Sequence, residues 1–320
     1  MAGSSRSLHR SRVGSLLGRT TRRRSEGKGP SPNYLYLKQL MRDNYQTRNL
    51  VGIDPSQFKE TFFGFLELED ASMEGYESPT GQRGRSVRFT WPYDHDFGDF
   101  KVGPGKGSER PIYILASFMN HWSALPERLD GKRVLDVGFY AGGTSLLLAA
   151  MGADVTAVEE VKKYVDCLTF LRDSFGLKNL DPRNLSLYDL ATEEFQDAFD
   201  VVLFAGVLYH LSDPVLGMRI IFNSIRPGGI CLLESATAKS DERMLEYAGK
   251  NEIERNRADG ANWFYPSPLV ISEMMDEVGF SDIHTHELKT PRRRNRTLAV
   301  GTKIEQVDML RAGLSVPDIR

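Results

Sequence analysis

The chain has 320 residues, with 41 lysines and arginines against 43 aspartates and glutamates, for a formal net charge of −2. So even a balance leaves no global field of the kind that draws a protein onto nucleic acid or an anionic membrane, and only local patches could do so. The length accommodates one large domain with appendages, and no apolar run approaches the roughly 20 residues of a membrane span.

The first 25 residues, "MAGSSRSLHRSRVGSLLGRTTRRRS", carry seven arginines, many serines and no acid. This composition reads as a disordered basic tail, with an organellar transit peptide as the alternative, so residues 1–30 are set apart from the fold. The expected location is accordingly cytoplasmic, or mitochondrial if the arginine-rich start is a transit peptide. Two cysteines, Cys167 and Cys231, stand far apart without metal-ligand spacing. They fit a reduced compartment and buried packing roles, and no metal site is expected.

Residues 31–130 read as an N-terminal helical and cap region. Leu37, Leu40, Met41 and Tyr45 recur at helical spacing. Residues 70 to 110 are rich in glycine and aromatics, including Trp91, Tyr93, Phe97 and Phe100, with Asp94 and His95 among them. Such a stretch is expected to form an ordered cap over a site, placing Trp91 and His95 among the substrate-facing candidates. "RPIYILASFMNHWSAL" adds a further helix.

From residue 131 the pattern alternates. "KRVLDVG" is a strand, "TSLLLAAMG" a helix, "ADVTAVE" a strand and "KKYVDCLTFLRDSFG" a helix; "FDVVLFAG", "GGICLLES" and "RTLAVGTK" give three more strands. Strand and helix in alternation predict a parallel sheet covered on both faces over residues 131–303, followed by a C-terminal tail, 304–320. "IRPGG" predicts a tight turn into the fifth strand.

Asp136, Gly138 and Gly142 lie where the first of these strands ends, the place where an open α/β sheet binds its ligand. Glycine there is expected to let the backbone approach the ligand where a side chain would fill the space. The spacing is not the dinucleotide fingerprint, because Phe139, Tyr140 and Ala141 separate the two glycines. Glu159 ends the second strand, where a carboxylate would accept both hydroxyls of a ribose, and together with the glycines it points to an adenosine-type ligand. Asp189 has two readings, acceptor for an adenine amino group or plain loop cap. After the fourth strand come Tyr209, expected to face the reactive end of the ligand, and His210, read first as a brace of its loop and second as a catalyst. Asp213 and Pro214 are expected to start the next helix, with the carboxylate as cap. A long insertion, 235–266, brings Arg257, Asn262, Trp263 and Tyr265 as pocket-lining candidates.

Taken together, Asp136-x-Gly138-x-x-x-Gly142, Glu159, "FDVV", "VLYHLSDP" and "RPGG" resemble the class I methyltransferases that use S-adenosylmethionine. The resemblance implies an α/β, Rossmann-like fold with a mostly parallel seven-stranded sheet, helices on both faces and an N-terminal cap. "WPYDHDFGDFKVGPG", "GVLYHLSDP" and "WFYPSP" are similar to the enzymes that modify the wobble uridine of bacterial transfer RNA by methyl or carboxymethyl transfer. In the carboxymethyl branch a tyrosine and an arginine hold the extra carboxylate of carboxy-S-adenosylmethionine, and Tyr209 and Arg296 fall at matching places. That branch's lysine does not align with a residue of this sequence, and the basic pair after its Tyr-His is Leu211-Ser212 here.

The expectation is therefore methyl transfer from S-adenosylmethionine to a small molecule, with a transfer RNA wobble-uridine (carboxy)methyltransferase and a non-catalytic scaffold as alternatives. Homo-oligomerisation is left open. A sulfonium methyl is already activated, so orientation in a dry pocket does most of the work, about 7 to 11 kcal/mol. A general base, worth roughly 10²- to 10⁴-fold, is needed only by an acceptor that arrives protonated, and this governs the role of His210.

Overall fold

The structure is a computed structural model that describes residues 29–67, 95–102, 109–248, 262–289 and 294–305. The basic tail, Trp91, Tyr93, Asp94, Arg257 and the C-terminal tail beyond residue 305 lie outside the described residues.

Among the described residues, three helices precede the sheet: α1 (Pro32–Asn44), α2 (Pro55–Glu67) and, after the short hairpin β1 (His95–Asp96) and β2 (Lys101–Val102), α3 (Arg110–Asn120). Helix α1 starts where its chemistry dictates: the Ser31 side chain accepts the Tyr34 N–H, and Pro32 stands in the first turn, where its missing N–H costs nothing.

Strand and helix then alternate as β3 (Arg133–Val137), α4 (Gly143–Ala150), β4 (Asp154–Glu159), α5 (Lys162–Ser174), β5 (Leu180–Asn184), β6 (Phe199–Ala205), α6 (Pro214–Ser224) and β7 (Ile225–Thr237). A small pair, β8 (Leu245–Tyr247) and β9 (Phe264–Pro266), leads to α7 (Pro268–Glu277), β10 (Phe280–Leu288) and β11 (Asn295–Lys303). One sheet of seven strands runs in the order β10-β11-β7-β6-β3-β4-β5. Strands β7, β6, β3, β4 and β5 are parallel, and β11 runs antiparallel between β7 and β10. The central strands read as continuous apolar runs because both faces are covered: Val134, Leu135 and Val137, then Val202, Leu203 and Phe204, are all buried. Helices α6 and α7 pack on one face through Met218, Ile221, Ile271 and Met275. On the other face, α4 and α5 join α1 to α3 in a single core that contains Leu37, Phe58, Phe118, Leu147 and Leu168. Both cysteines are buried free thiols, held above the usual thiol range by burial.

Three expectations are corrected by this architecture. His95 belongs to packing: it is buried, its Nε2 lies 2.7 Å from the Tyr45 carbonyl oxygen, and its ring sits 4.0 Å from that of Phe97. Phe97 in turn packs with Phe58, Phe62 and Phe100 over α5, so the imidazole fastens the cap to the core. The turn at "IRPGG" lies inside β7 and not before it. Phe199 pairs with Ile225 and Val201 with Ile230, so residues 226–229 bulge out while Arg226 binds Asp200, whose carboxylate also accepts the Arg133 N–H. Asp213 does hold the N-cap position of α6, but its ψ of 72 departs from the extended cap geometry, and its carboxylate accepts from the Ser212 hydroxyl instead of a helix N–H.

The cap is tied to the sheet domain by the Tyr45 hydroxyl, which donates to the Leu146 carbonyl of α4 at 2.6 Å within the core. Tyr45→Phe is expected to lower the unfolding free energy by about 1 kcal/mol, the net value of one buried hydrogen bond, measured by urea denaturation.

Candidate cofactor and acceptor site

Strands β3 and β6 are parallel neighbours, but the chain leaves β3 toward β4 on one side and β6 toward β7 on the other. Their connections therefore diverge, and a crevice opens at the carboxyl ends between Gly138 and Gly206. Gly138 donates its N–H to the Val158 carbonyl at 2.8 Å and adopts a φ of +70. A Cβ at Gly138 would meet Val207 Cγ2 at 2.4 Å, and one at Gly142, φ +80, would meet Leu168 Cδ1 at 2.6 Å. These glycines thus relieve a left-handed backbone and contact with the protein's own Val207 and Leu168.

Asp136 also differs from expectation. It is buried, and its Oδ2 accepts the hydroxyls of Thr144 at 2.6 Å and Ser145 at 2.7 Å. Burial pushes its carboxyl up to about 6 and the two hydroxyls oppose the rise. It props the start of α4 beneath the loop, with no exposed edge toward a ligand.

Glu159 stands at the rim. Its Oε2 accepts the Tyr140 N–H at 3.0 Å and its Oε1 the Val161 N–H at 3.1 Å. Burial raises its carboxyl to about 7, with the two backbone donors working against that rise. Tyr140 donates from a left-handed conformation, φ 55, leaving its side chain 39% exposed beside the Tyr164 ring. Asp189 serves as a cap: its Oδ2 accepts the Ser186 N–H at 2.8 Å in a reciprocal capping box, while the residue stays exposed.

The opposite wall is charged. Tyr209 is 8% exposed, the Arg296 guanidinium lies 5.0 Å from its ring centroid, and a Cβ on Gly206 would stand 3.9 Å from its hydroxyl and 3.7 Å from Arg110 Nη2. Beneath them Glu234 accepts from Arg296 Nε and, at 2.5 Å, from Nη2, and at 3.3 Å from Arg110 Nη2. Burial opposes ionisation of Glu234, but the two arginines hold its carboxyl below the usual range. Burial likewise raises the Tyr209 phenol, and Arg296 and Arg110 more than offset it, leaving it below its ordinary value.

Sequence reasoning missed Glu234 and Arg110. An acid inside the apolar run "ICLLES" was the available signal, since a carboxylate in a central strand has to be paired with cations. Arg110 had no such signal, because only tertiary packing carries α3 over the end of β6.

The insertion returns to the same place. The Trp263 N–H donates to the Tyr209 carbonyl at 2.8 Å, and the Tyr265 ring lies 6.3 Å from that of Tyr209, nearly parallel, with the Arg294 guanidinium 4.0 Å from the Tyr265 ring centroid. Tyr209, Tyr265, Trp263 and Arg296 are thus brought together, and His95 is not among them. The His210 N–H donates to Val207 at 2.8 Å, fixing the turn, and its ring lies 4.1 Å from Tyr209. Among the described residues no group of His, Cys, Asp and Glu is arranged to hold a metal ion, and no helix is long and apolar enough to cross a membrane.

A sheet of this order with its acid-rimmed crevice defines an α/β, Rossmann-like nucleoside-binding domain of the methyltransferase type. A family model described as methyltransferase domain matches residues 112–285, more than half of the chain, and the chain belongs to that family. Over 160 residues it is 29% identical to the tRNA U34 carboxymethyltransferase of Desulfotalea psychrophila, covering 50% of this chain and 48% of that one. Over 202 residues it is 28% identical to the ubiquinone biosynthesis O-methyltransferase of Xanthomonas campestris pv. campestris, covering 62% of this chain and 83% of that one. The chain spans about half the length of the carboxymethyltransferases it matches. Among solved structures, the N-terminal domain of EvdMO1 with SAH bound superposes with a TM-score of 0.55 at 17% identity, covering 78% of this chain and 98% of that one, a likeness of fold.

Because Glu234 is the common partner of two arginines, its removal leaves the mostly covered Arg296 guanidinium without its counter-charge. Glu234→Ala is expected to destabilise the fold by about 3 to 5 kcal/mol, read from chemical denaturation.

Proposed function

We propose that the chain is an S-adenosylmethionine-dependent methyltransferase that transfers the methyl group in line to a small-molecule acceptor. The single observation that carries the reading is the Glu159 carboxylate, held by two backbone N–H groups at the rim of the crevice beside the Gly138 loop. Each carboxylate oxygen keeps lone-pair capacity beyond its backbone donor, which suits the two adjacent hydroxyls of a ribose. When bound, the cofactor supplies a methyl group already activated by positive sulfur. The protein's share is orientation and exclusion of water. Glu159 holds the sugar, and Asp189 uses its remaining acceptor capacity for the adenine amino group. Asp136, Gly138 and Gly142 shape the loop. Tyr209 faces the reactive end with Arg110 and Arg296, and Trp263 and Tyr265 belong to the acceptor side. His210 braces the loop through its turn, with general-base catalysis as its alternative role.

A second reading, carboxymethyl transfer to a transfer RNA wobble uridine, is favoured by the contact between Tyr209 and Arg296. Against it, Glu234 already engages both Nε and Nη2 of Arg296, so an added carboxylate on the cofactor would compete with an anion fixed in the fold. Filter binding of bulk transfer RNA at two salt concentrations separates the readings. Tight, steeply salt-dependent binding would support the second, and no binding at low salt removes it. The balanced charge and the reduced cysteines favour a cytoplasmic location, and imaging of a fluorescent fusion decides between this and mitochondria.

Titration calorimetry with S-adenosylhomocysteine tests the main reading. A carboxyl raised to about 7 is mostly protonated at pH 6 and ionised at pH 8. Ribose hydroxyls donate best to the ionised form, so affinity is expected to rise roughly ten-fold across that interval. Glu159→Gln should flatten the profile and weaken binding. In the ligand-free protein the sign is opposite: the raised carboxyl contributes stability below its ordinary value, and this is lost as pH rises through about 7. Absence of binding, or affinity that falls with pH, would overturn the assignment.

A further inference from the structure

The carboxylate proposed to hold the ribose owes its orientation to a peptide group that is fixed from the next strand. The ladder between β4 and β5 stops at the pair Glu159 and Asn184, the last residues of their strands. There the Asn184 side chain takes over from the backbone: its Nδ2 donates to the Glu159 carbonyl at 2.9 Å and to the Glu160 carbonyl at 2.9 Å. Both partners can only accept, so the amide must turn its two N–H groups toward them. An aspartate of the same shape would set a carboxylate against two carbonyl oxygens.

The second of these bonds reaches the site through rigid geometry. The Glu160 carbonyl and the Val161 N–H belong to one planar trans peptide, so they point in opposite directions. With Asn184 holding the carbonyl end, the N–H end is aimed at Glu159, where it donates to Oε1 at 3.1 Å. The residue between is tied a second time: the Glu160 carboxylate accepts the Ser186 hydroxyl, and Ser186 caps the turn that carries Asp189.

We propose that Asn184 is a positioning residue of the cofactor site: by clamping the Glu159 and Glu160 carbonyls it sets the peptide plane that holds the Glu159 carboxylate in place for the ribose hydroxyls. This inference rests on the methyltransferase reading and on the role of Glu159 in it. A carboxylate ordered before the ligand arrives does not lose side-chain freedom on binding, so the clamp acts on affinity although Asn184 itself holds no part of the ligand.

Titration calorimetry of the full chain with S-adenosylhomocysteine tests the clamp, using Asn184→Ala and Asn184→Asp in the wild-type and in the Glu159→Ala background. In the wild-type background each is expected to weaken binding at least about five-fold, because neither variant can donate to the two carbonyls. In the Glu159→Ala background each should change affinity by less than about two-fold, since the group they act through is gone. Asn184 is exposed, so the melting temperature of Asn184→Ala should stay within about 2 °C of wild type. Equal weakening in both backgrounds overturns the proposal. So does unchanged affinity in Asn184→Ala, and a lowered melting temperature alongside it marks a purely structural clamp. If Glu159→Ala binds as tightly as wild type, the ribose assignment fails and takes the clamp with it, whereas no binding to the wild-type chain sinks the methyltransferase reading first.

Discussion

Two parallel strands whose onward connections run in opposite directions cannot both be covered at their carboxyl ends. In this chain β3 departs toward β4 and β6 toward β7, so the ends of both strands form the walls of one crevice. The chemistry gathers there for that reason. Glu159 comes from the strand next to β3, Tyr209 from the turn after β6, and Arg296 from the antiparallel strand that pairs with β7. None of these side chains is near another in sequence, and one geometric feature of the sheet collects them.

The acids of this region are treated in two physically different ways. Asp136 is buried and Glu159 partly buried, each against neutral donors, hydroxyls in one case and backbone N–H groups in the other, and desolvation raises both. Glu234 is as deeply buried as Asp136 but faces two guanidinium groups, and its carboxyl is lowered. The first arrangement leaves a carboxylate with acceptor capacity at the rim, ready for hydroxyl donors. The second fixes charge permanently inside the fold and sets the field that Tyr209 and any neighbouring oxygen experience.

The N-terminal helices are part of the same body as the sheet. Phe58, Phe62, Phe97 and His95 form an aromatic layer over α5, Tyr45 reaches into α4, and α3 delivers Arg110 to the end of β6. A cap built this way contributes a charged group to the crevice while its aromatic residues serve cohesion, which is why His95 packs where substrate contact was expected.

Local chemistry determined the elements. Alternating apolar strands and amphipathic helices, the glycines after β3 and the acid at the end of β4 were legible because each depends on nearest neighbours: periodicity, backbone conformation, and the termination of a strand. The pairing of Glu234 with Arg296 and Arg110 and the contacts that confine Gly138 and Gly142 were decided by tertiary structure alone. The partners of Glu234 lie far off in sequence, 62 residues in the case of Arg296 and 124 in that of Arg110. Whether a buried polar atom is satisfied, or what a Cβ would strike, depends on which distant surface the fold brings against it.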